Sequence, residues 1–198
     1  YCDIDMNTKS VEGKQFEKAA LGYNRKSPGR LSFSWTVVHV AKVALYSKLD
    51  PGNTSGKTVL REQVAHVEKF LKKIDITPTE KRLIYRIDGG YFSNDNLQYL
   101  DENDKRFITR IPANLKIIQP FLEDRQRQWK NFSDNIEYSN IGDVLFSNIN
   151  KTFHVVIVKV YRKKKVLVYP LVTNMTGWTG KNVVKAYRGR QIVENCFR

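Results

Sequence analysis

The sequence predicts a mixed α/β fold with a β-rich insertion before the last helix. Three patterns support this class. Residues 31–37 alternate apolar and polar side chains, which is the period of a half-buried strand. Residues 57–74 carry apolar side chains at i, i+4, i+7 and i+11 from Leu60, the stripe of an amphipathic helix. Residues 153–161 and 166–171 are apolar runs joined by a basic turn, as in a β-hairpin.

The other elements follow from the same patterns in chain order. Residues 1–6 form the first strand, with Asp3 and Asp5 on one face and three apolar side chains on the other. We further expect a strand from 43 to the turn at 51–52, a strand over 83–87, a helix over 94–101, a strand over 107–111, a helix over 115–132, a strand over 144–146 and a helix from 181 to the chain end.

Length and composition are those of a globular domain with its own core. The chain has 198 residues, of which 41% are hydrophobic and 27% charged, and this excludes a disordered or collagen-like protein. No apolar run approaches the roughly 18 residues of a membrane span, so we expect no membrane partner. We assign residues 1–118 and 176–198 to the core and residues 119–175 to the insertion.

The charge balance indicates a polyanionic partner. The chain has 34 Lys and Arg against 20 Asp and Glu, a formal net charge of +14. A basic domain attracts nucleic acid because each neutralised phosphate releases condensed counterions. A basic surface kept for solubility or for acidic membranes is the alternative.

Several kinds of catalytic site are not indicated. Cys2 and Cys196 lie at opposite ends without a CxxC spacing, and the three histidines form no zinc pattern. No Ser–His–Asp or Cys–His arrangement points to covalent catalysis. Cysteine usage fits a reducing, cytosolic setting. The chain opens at Tyr1 without a methionine or a signal-like segment, so we expect an excerpt of a longer protein.

The remaining candidate catalytic residues are carboxylates. Asp3 or Asp5 lies on the first strand, Asp88 follows an apolar strand and precedes two glycines, and Glu194 lies near the chain end. Three carboxylates from distant segments of a basic α/β domain match a two-metal phosphoryl-transfer site, since Mg²⁺ and Mn²⁺ prefer oxygen ligands. Each acid taken alone is more often a solvated surface group.

These segments resemble a known family. Tyr187, Arg190 and Glu194 have the spacing of the first three members of the Y-R-E-K signature of DDE transposases encoded by bacterial insertion sequences. Residues 86–92 resemble the family segment that holds the second acid, and residues 3–8 resemble the segment that holds the first. The resemblance spans essentially the whole chain, and the acid-bearing segments occur in the family's order.

The resemblance implies a fold and a metal site. The fold would be RNase H-like, a mixed sheet flanked by helices with a β-rich insertion before the last helix. The catalytic and metal-binding triad would be Asp5, Asp88 and Glu194, with two Mg²⁺ or Mn²⁺ ions as cofactors. Asp5 is preferred to Asp3 because it matches the family's acid followed shortly by Thr8, although both face the same way on a strand.

The resemblance also implies how the chain meets DNA. Tyr187 and Arg190 would contact DNA near the scissile phosphate, and Arg198 belongs to the same motif. The basic turn would follow the DNA backbone or be a solvated turn; its residues are Lys163, Lys164 and Lys165. The partner would be double-stranded DNA, both transposon ends and target, and a homodimer on DNA is an open option.

The function implied is that of a bacterial DNA transposase, cytoplasmic and nucleoid-associated. It would hydrolyse a phosphodiester at a transposon end and join the 3′-OH to target DNA. Two alternatives stay open: a non-catalytic, domesticated DNA-binding relative, and an RNase H-fold nuclease that cuts without strand transfer.

Overall fold

The computed structural model of the chain describes residues 1–13, 16–22, 28–41, 43–75 and 83–190. Its mixed α/β architecture confirms the predicted class. The strands are β1 (Cys2–Ser10), β2 (Ala20–Leu21), β3 (Leu31–Val40), β4 (Val43–Pro51), β5 (Ile84–Ile87), β6 (Arg106–Arg110), β7 (Lys130–Ser133), β8 (Ile136–Phe146), β9 (Lys151–Arg162) and β10 (Lys165–Thr173). The α-helices are α1 (Gly56–Lys73), α2 (Asn94–Glu102), α3 (Gln119–Glu123) and α4 (Gly180–Arg188).

A single mixed sheet contains all strands of the described residues. Its order is β2-β3-β1-β5-β6-β10-β9-β8-β7, and β4 also pairs with β3. β1 pairs antiparallel with β3 and parallel with β5, which in turn pairs parallel with β6. β10 pairs antiparallel with β6, so the later strands extend the same sheet. This topology is compatible with an RNase H-like fold.

Helices cover both faces of the sheet, and this determines which face of β1 meets which helix. The predicted apolar stripe of α1 is buried in the same core cluster as Cys2 and Ile4. Val183 and Val184 of α4 belong to a second cluster with residues of β8, β9 and β10. Successive side chains of a strand point to opposite faces, so Asp3 and Asp5 point away from α1. None of the helices in the described ranges has the length and apolar character that a membrane crossing requires.

The predicted helix over 115–132 is wrong. Only α3, five residues long, forms there, and residues 130–133 form the edge strand β7. Pro120 explains the late start, because proline is tolerated in the first turn of a helix but not in its interior. β7 gains its backbone hydrogen bonds from β8, a partner that the local pattern of charges does not reveal.

The last helix is also shorter than predicted within the described residues. α4 ends at Arg188 and is capped at Gly189, so Arg190 lies in a turn beyond the helix. The predicted continuation of the helix through Arg190 is therefore wrong. Glu194 and Arg198 lie outside the described residues.

Candidate metal and DNA site

Two aspartates from distant parts of the chain converge on one arginine. Arg190 Nη2 lies 2.7 Å from Asp5 Oδ1, and Arg190 Nη1 lies 3.1 Å from Asp88 Oδ1. The arginine is buried, the Asp5 side chain is 14% exposed, and that of Asp88 is 47% exposed. The pair is therefore open to solvent on the Asp88 side.

The parallel register of β1 and β5 brings the two acids together. Asp3 is paired with Arg86 and Ile4 with Ile87, and the pairing ends there. The next residue of each segment is an aspartate, so Asp5 and Asp88 lie where the pairing of β1 with β5 ends. Asp88 also caps a short 3-10 turn, because its Oδ2 accepts a hydrogen bond of 3.3 Å from the backbone N–H of Gly90.

Electrostatics keep Arg190 charged in this position. Burial alone would lower its pKa, but the charges of Asp5 and Asp88, together with the hydrogen bond to Asp88, outweigh burial and raise the pKa above its usual value. Burial also raises the pKa of Tyr187, so its hydroxyl stays neutral beside the arginine. The structure thus brings together four of the predicted site residues: Asp5, Asp88, Tyr187 and Arg190.

Asp3, the alternative first acid, has a different partner. Arg86 donates from Nε and Nη2 to the two oxygens of Asp3, both at 2.6 Å. Asp3 is 4% exposed and Arg86 is 7% exposed. Both oxygens of Asp3 therefore accept from a buried guanidinium, whereas Asp5 shares its arginine with a second carboxylate.

A basic cleft leads away from Asp88. The cleft encloses about 350 Å³ and begins at Asp88 and Arg190. Its other cationic and aromatic lining residues are Arg110, Arg162, Arg188, Tyr169 and Tyr187. The guanidinium of Arg110 lies 4.7 Å from the centre of the Tyr169 ring. Cationic and aromatic groups beside a carboxylate pair can hold phosphates and bases next to a reacting centre.

Sequence reasoning missed the three arginines of this cleft. Arg110 ends β6, Arg162 ends β9 and Arg188 ends α4, so an arginine at the last residue of a predicted element was the available signal. The predicted Lys163, Lys164 and Lys165 are exposed at the β9–β10 turn.

The carboxylate pair fits a cation, although the third acid is outside the described residues. Two oxygens already bind one shared cationic group, and hard oxygen donors are what Mg²⁺ and Mn²⁺ prefer. Within the residues that the structure describes, no group of three or more His, Cys, Asp or Glu side chains is positioned around a common metal position. The described residues thus supply two carboxylates, and Glu194, the third acid expected from the sequence, lies outside them.

Comparison with known proteins identifies the family. No curated protein sequence matches this chain. The family model described as transposase DDE domain matches residues 15–198, most of the chain and the part that contains Asp88, Tyr187 and Arg190. With that match added to the converging aspartates and the basic cleft, the chain belongs to the transposase DDE domain family, whose substrate is DNA.

Proposed function

We propose that this domain cuts a phosphodiester bond at a transposon end and joins the freed 3′-OH to target DNA, using two divalent ions held by Asp5, Asp88 and Glu194. The observation that carries the proposal is the meeting of Asp5 and Asp88, 83 residues apart in sequence, on a single cationic group. Carboxylates that must hold a metal ion need this proximity before the ion arrives.

Asp5 is the better first acid on structural grounds. Asp3 is buried, and both its oxygens accept from Arg86, so a metal ion would have to break a bidentate ion pair to reach it. Breaking a buried pair of this kind is strongly unfavourable. Asp5 lies two residues after Asp3 on β1, next to the more exposed Asp88.

The residues of the chain would divide the chemistry between them. When bound, the ions supply Lewis-acid activation of the attacking water or 3′-OH and stabilise the leaving oxygen. Asp5 and Asp88 would fix the position of the ions by their carboxylates. Arg190, and the cleft residues Arg110 and Arg188, would neutralise phosphate charge on either side of the reacting group.

The basic cleft gives the DNA strand a path away from the acids. Arg162 lines the cleft at the end of β9, and the exposed Lys163, Lys164 and Lys165 continue the positive surface beyond it. Their charges would contact phosphates, which gives affinity without sequence preference. We further propose that residues 119–175 are an insertion in an RNase H-like core of residues 1–118 and 176–198.

The origin and assembly of the chain are proposed on the same basis. A Y-R-E-K signature would place it among bacterial insertion-sequence transposases, acting in the cytoplasm at the nucleoid. A homodimer would let two such sites act on the two ends of one transposon.

The test compares two acid variants with a matched surface variant. Asp5→Asn and Asp88→Asn should each reduce Mg²⁺-dependent nicking and strand transfer on the cognate ends by at least about 100-fold, because each removes a metal ligand. Glu194→Gln should do the same. Asp134→Asn, at an exposed turn between β7 and β8, should behave as the unmodified chain.

The controls separate the alternatives. DNA affinity measured in EDTA should stay within about twofold for all variants, since the acids hold metal and not phosphate. Full activity of Asp88→Asn would overturn the assignment. Absence of any metal-dependent cleavage in the unmodified chain would favour a domesticated DNA-binding relative, and cleavage without joined products would favour a nuclease.

A further inference from the structure

A second buried arginine lies in the same strand pair, two residues before Asp88. Arg86 is the strand neighbour of Asp3, and its Nε and Nη2 bind both oxygens of Asp3 at 2.6 Å. Its remaining nitrogen, Nη1, donates a hydrogen bond of 2.7 Å to the backbone carbonyl of Ala186 in the last turn of α4. One guanidinium therefore joins β1, β5 and the end of α4.

The chain that leaves α4 is packed directly against this arginine. A Cβ atom added at Gly189 would overlap Arg86 Nη1. Gly189 has φ −59° and ψ −13°, values that any residue adopts, so the backbone itself does not require glycine here. Glycine is required here because the Arg86 side chain leaves no space for a Cβ atom. The next residue is Arg190, which reaches Asp5 and Asp88.

Stability alone does not explain this arrangement. A buried ion pair is often no more stabilising than well-packed apolar side chains of the same volume. What apolar side chains could not supply is the directed bond from Arg86 to the Ala186 carbonyl, which fixes where the chain turns after α4. Arg86 also lies under the ring of Tyr1, 4.3 Å from the ring centre, which limits its freedom further.

We propose that Arg86 is a positioning residue that places Arg190 between the two aspartates by anchoring the end of α4. Its importance for catalysis rests on the proposed function, but the positioning itself does not. Arg86 touches neither Asp5 nor Asp88 in any contact found among the described residues, so it acts through the chain segment 186–190.

Mn²⁺ affinity reports whether Arg190 is in place. Arg190 and a divalent ion compete for the same two carboxylates, so Arg190→Ala should strengthen Mn²⁺ binding about fivefold or more in calorimetry. In the Arg86→Lys background the same change should alter the affinity by less than about twofold, because Arg190 is already displaced. This double-mutant cycle isolates the coupling between the two arginines.

Gly189→Ala provides a milder second variant with a matched control. This substitution should displace the turn after α4 although Arg86 is still present. In the Gly189→Ala background, Arg190→Ala should therefore change the Mn²⁺ affinity by less than about twofold, as in the Arg86→Lys background. Gly177→Ala, whose added Cβ meets nothing within 4 Å, should leave the Arg190→Ala effect intact. An Arg190→Ala effect of equal size in all backgrounds, or no effect in an unmodified chain that does bind Mn²⁺, would overturn the proposal.

A metal-free measurement keeps the two proposals separate. In EDTA, the ¹⁵N–H side-chain signal of Arg190, assigned by its loss in Arg190→Ala, should exchange slowly with solvent in the unmodified chain and in Gly177→Ala. It should exchange fast in Arg86→Lys and Gly189→Ala. Slow exchange in all four would refute the positioning role, whereas absence of Mn²⁺ binding with the expected exchange pattern would refute only the metal site.

Discussion

At the scale of single residues, the groups that a side chain binds give identical residue types different roles. Asp3 and Asp5 lie on the same face of β1, two residues apart. Asp3 is closed off by Arg86, whereas Asp5 meets Asp88 across Arg190. The arginines differ in the same way, since one binds a single carboxylate and a helix end and the other binds two carboxylates.

His39 supports a prediction about pH. It is 3% exposed on β3, opposite Asp3, and burial lowers its pKa from the ordinary value near 6.5, partly opposed by the charge of Asp3. As the pH falls below about 6.5, the unfolded chain takes up a proton that the folded chain resists, so the free energy of unfolding decreases. Above that pH both states are neutral and the effect vanishes. His39→Gln should therefore flatten the fall of stability between pH 7.5 and 5.5 in urea titrations.

The matched control for His39 is Val38, which is buried on the same strand. Val38→Ala should lower the stability but keep the pH dependence of the unmodified chain. The readout is the slope with pH and not the stability at one pH, because either substitution can change packing. An unchanged slope in His39→Gln would contradict the prediction.

At the scale of elements, α4 matters because the turn that follows it carries Arg190. Its first turn is capped by Thr179, whose side chain accepts a hydrogen bond of 3.3 Å from the Asn182 N–H. Loss of such a cap costs about 1 kcal/mol, so Thr179→Ala should lower the free energy of unfolding by about that amount in urea. Thr176→Ala, exposed in the preceding turn, should change it by less than half as much. Equal losses in the two variants would mean that the cap contributes nothing.

The elements also show where a local pattern fails. The alternation over 31–37 predicted the strand β3 but not its buried face, because the polar residues Ser32, Ser34 and Thr36 are the buried ones. The stripe from Leu60 to Leu71 predicted α1 well, because it reports a face that is buried along its whole length. Residues 115–132 have no such face. Pro120 and the pairing of β7 with β8 decided that segment, and the second of these depends on the strand that follows residue 132.

At the scale of the whole molecule, the net charge of +14 predicts DNA binding that weakens steeply with salt. Each phosphate contact adds about 0.9 to the slope of log affinity against log salt concentration. Arg110→Ala and Arg188→Ala should therefore each lower that slope by about 1 when measured in EDTA. Lys72→Ala, exposed at the end of α1, should leave the slope unchanged. Equal slopes in the two cleft variants and the unmodified chain would exclude the cleft as the DNA path.

The sequence by itself determined the fold class, most strands and helices, the polyanionic partner and the acids to consider, Asp5 and Asp88 among them. These follow from periodicity, charge and spacing, which act over a few residues or over the composition as a whole. The family resemblance noted in the motifs agrees with the matched transposase DDE domain.

Only the tertiary structure decided which partner each acid has and which arginines form the cleft. The register of β1 on β5 sets Asp3 against Arg86, and the turn after α4 carries Arg190 to Asp5 and Asp88. Arg110, Arg162 and Arg188 meet because strand order and helix packing bring three element ends together. A local pattern tells which face a side chain occupies, but long-range pairing determines what stands opposite it.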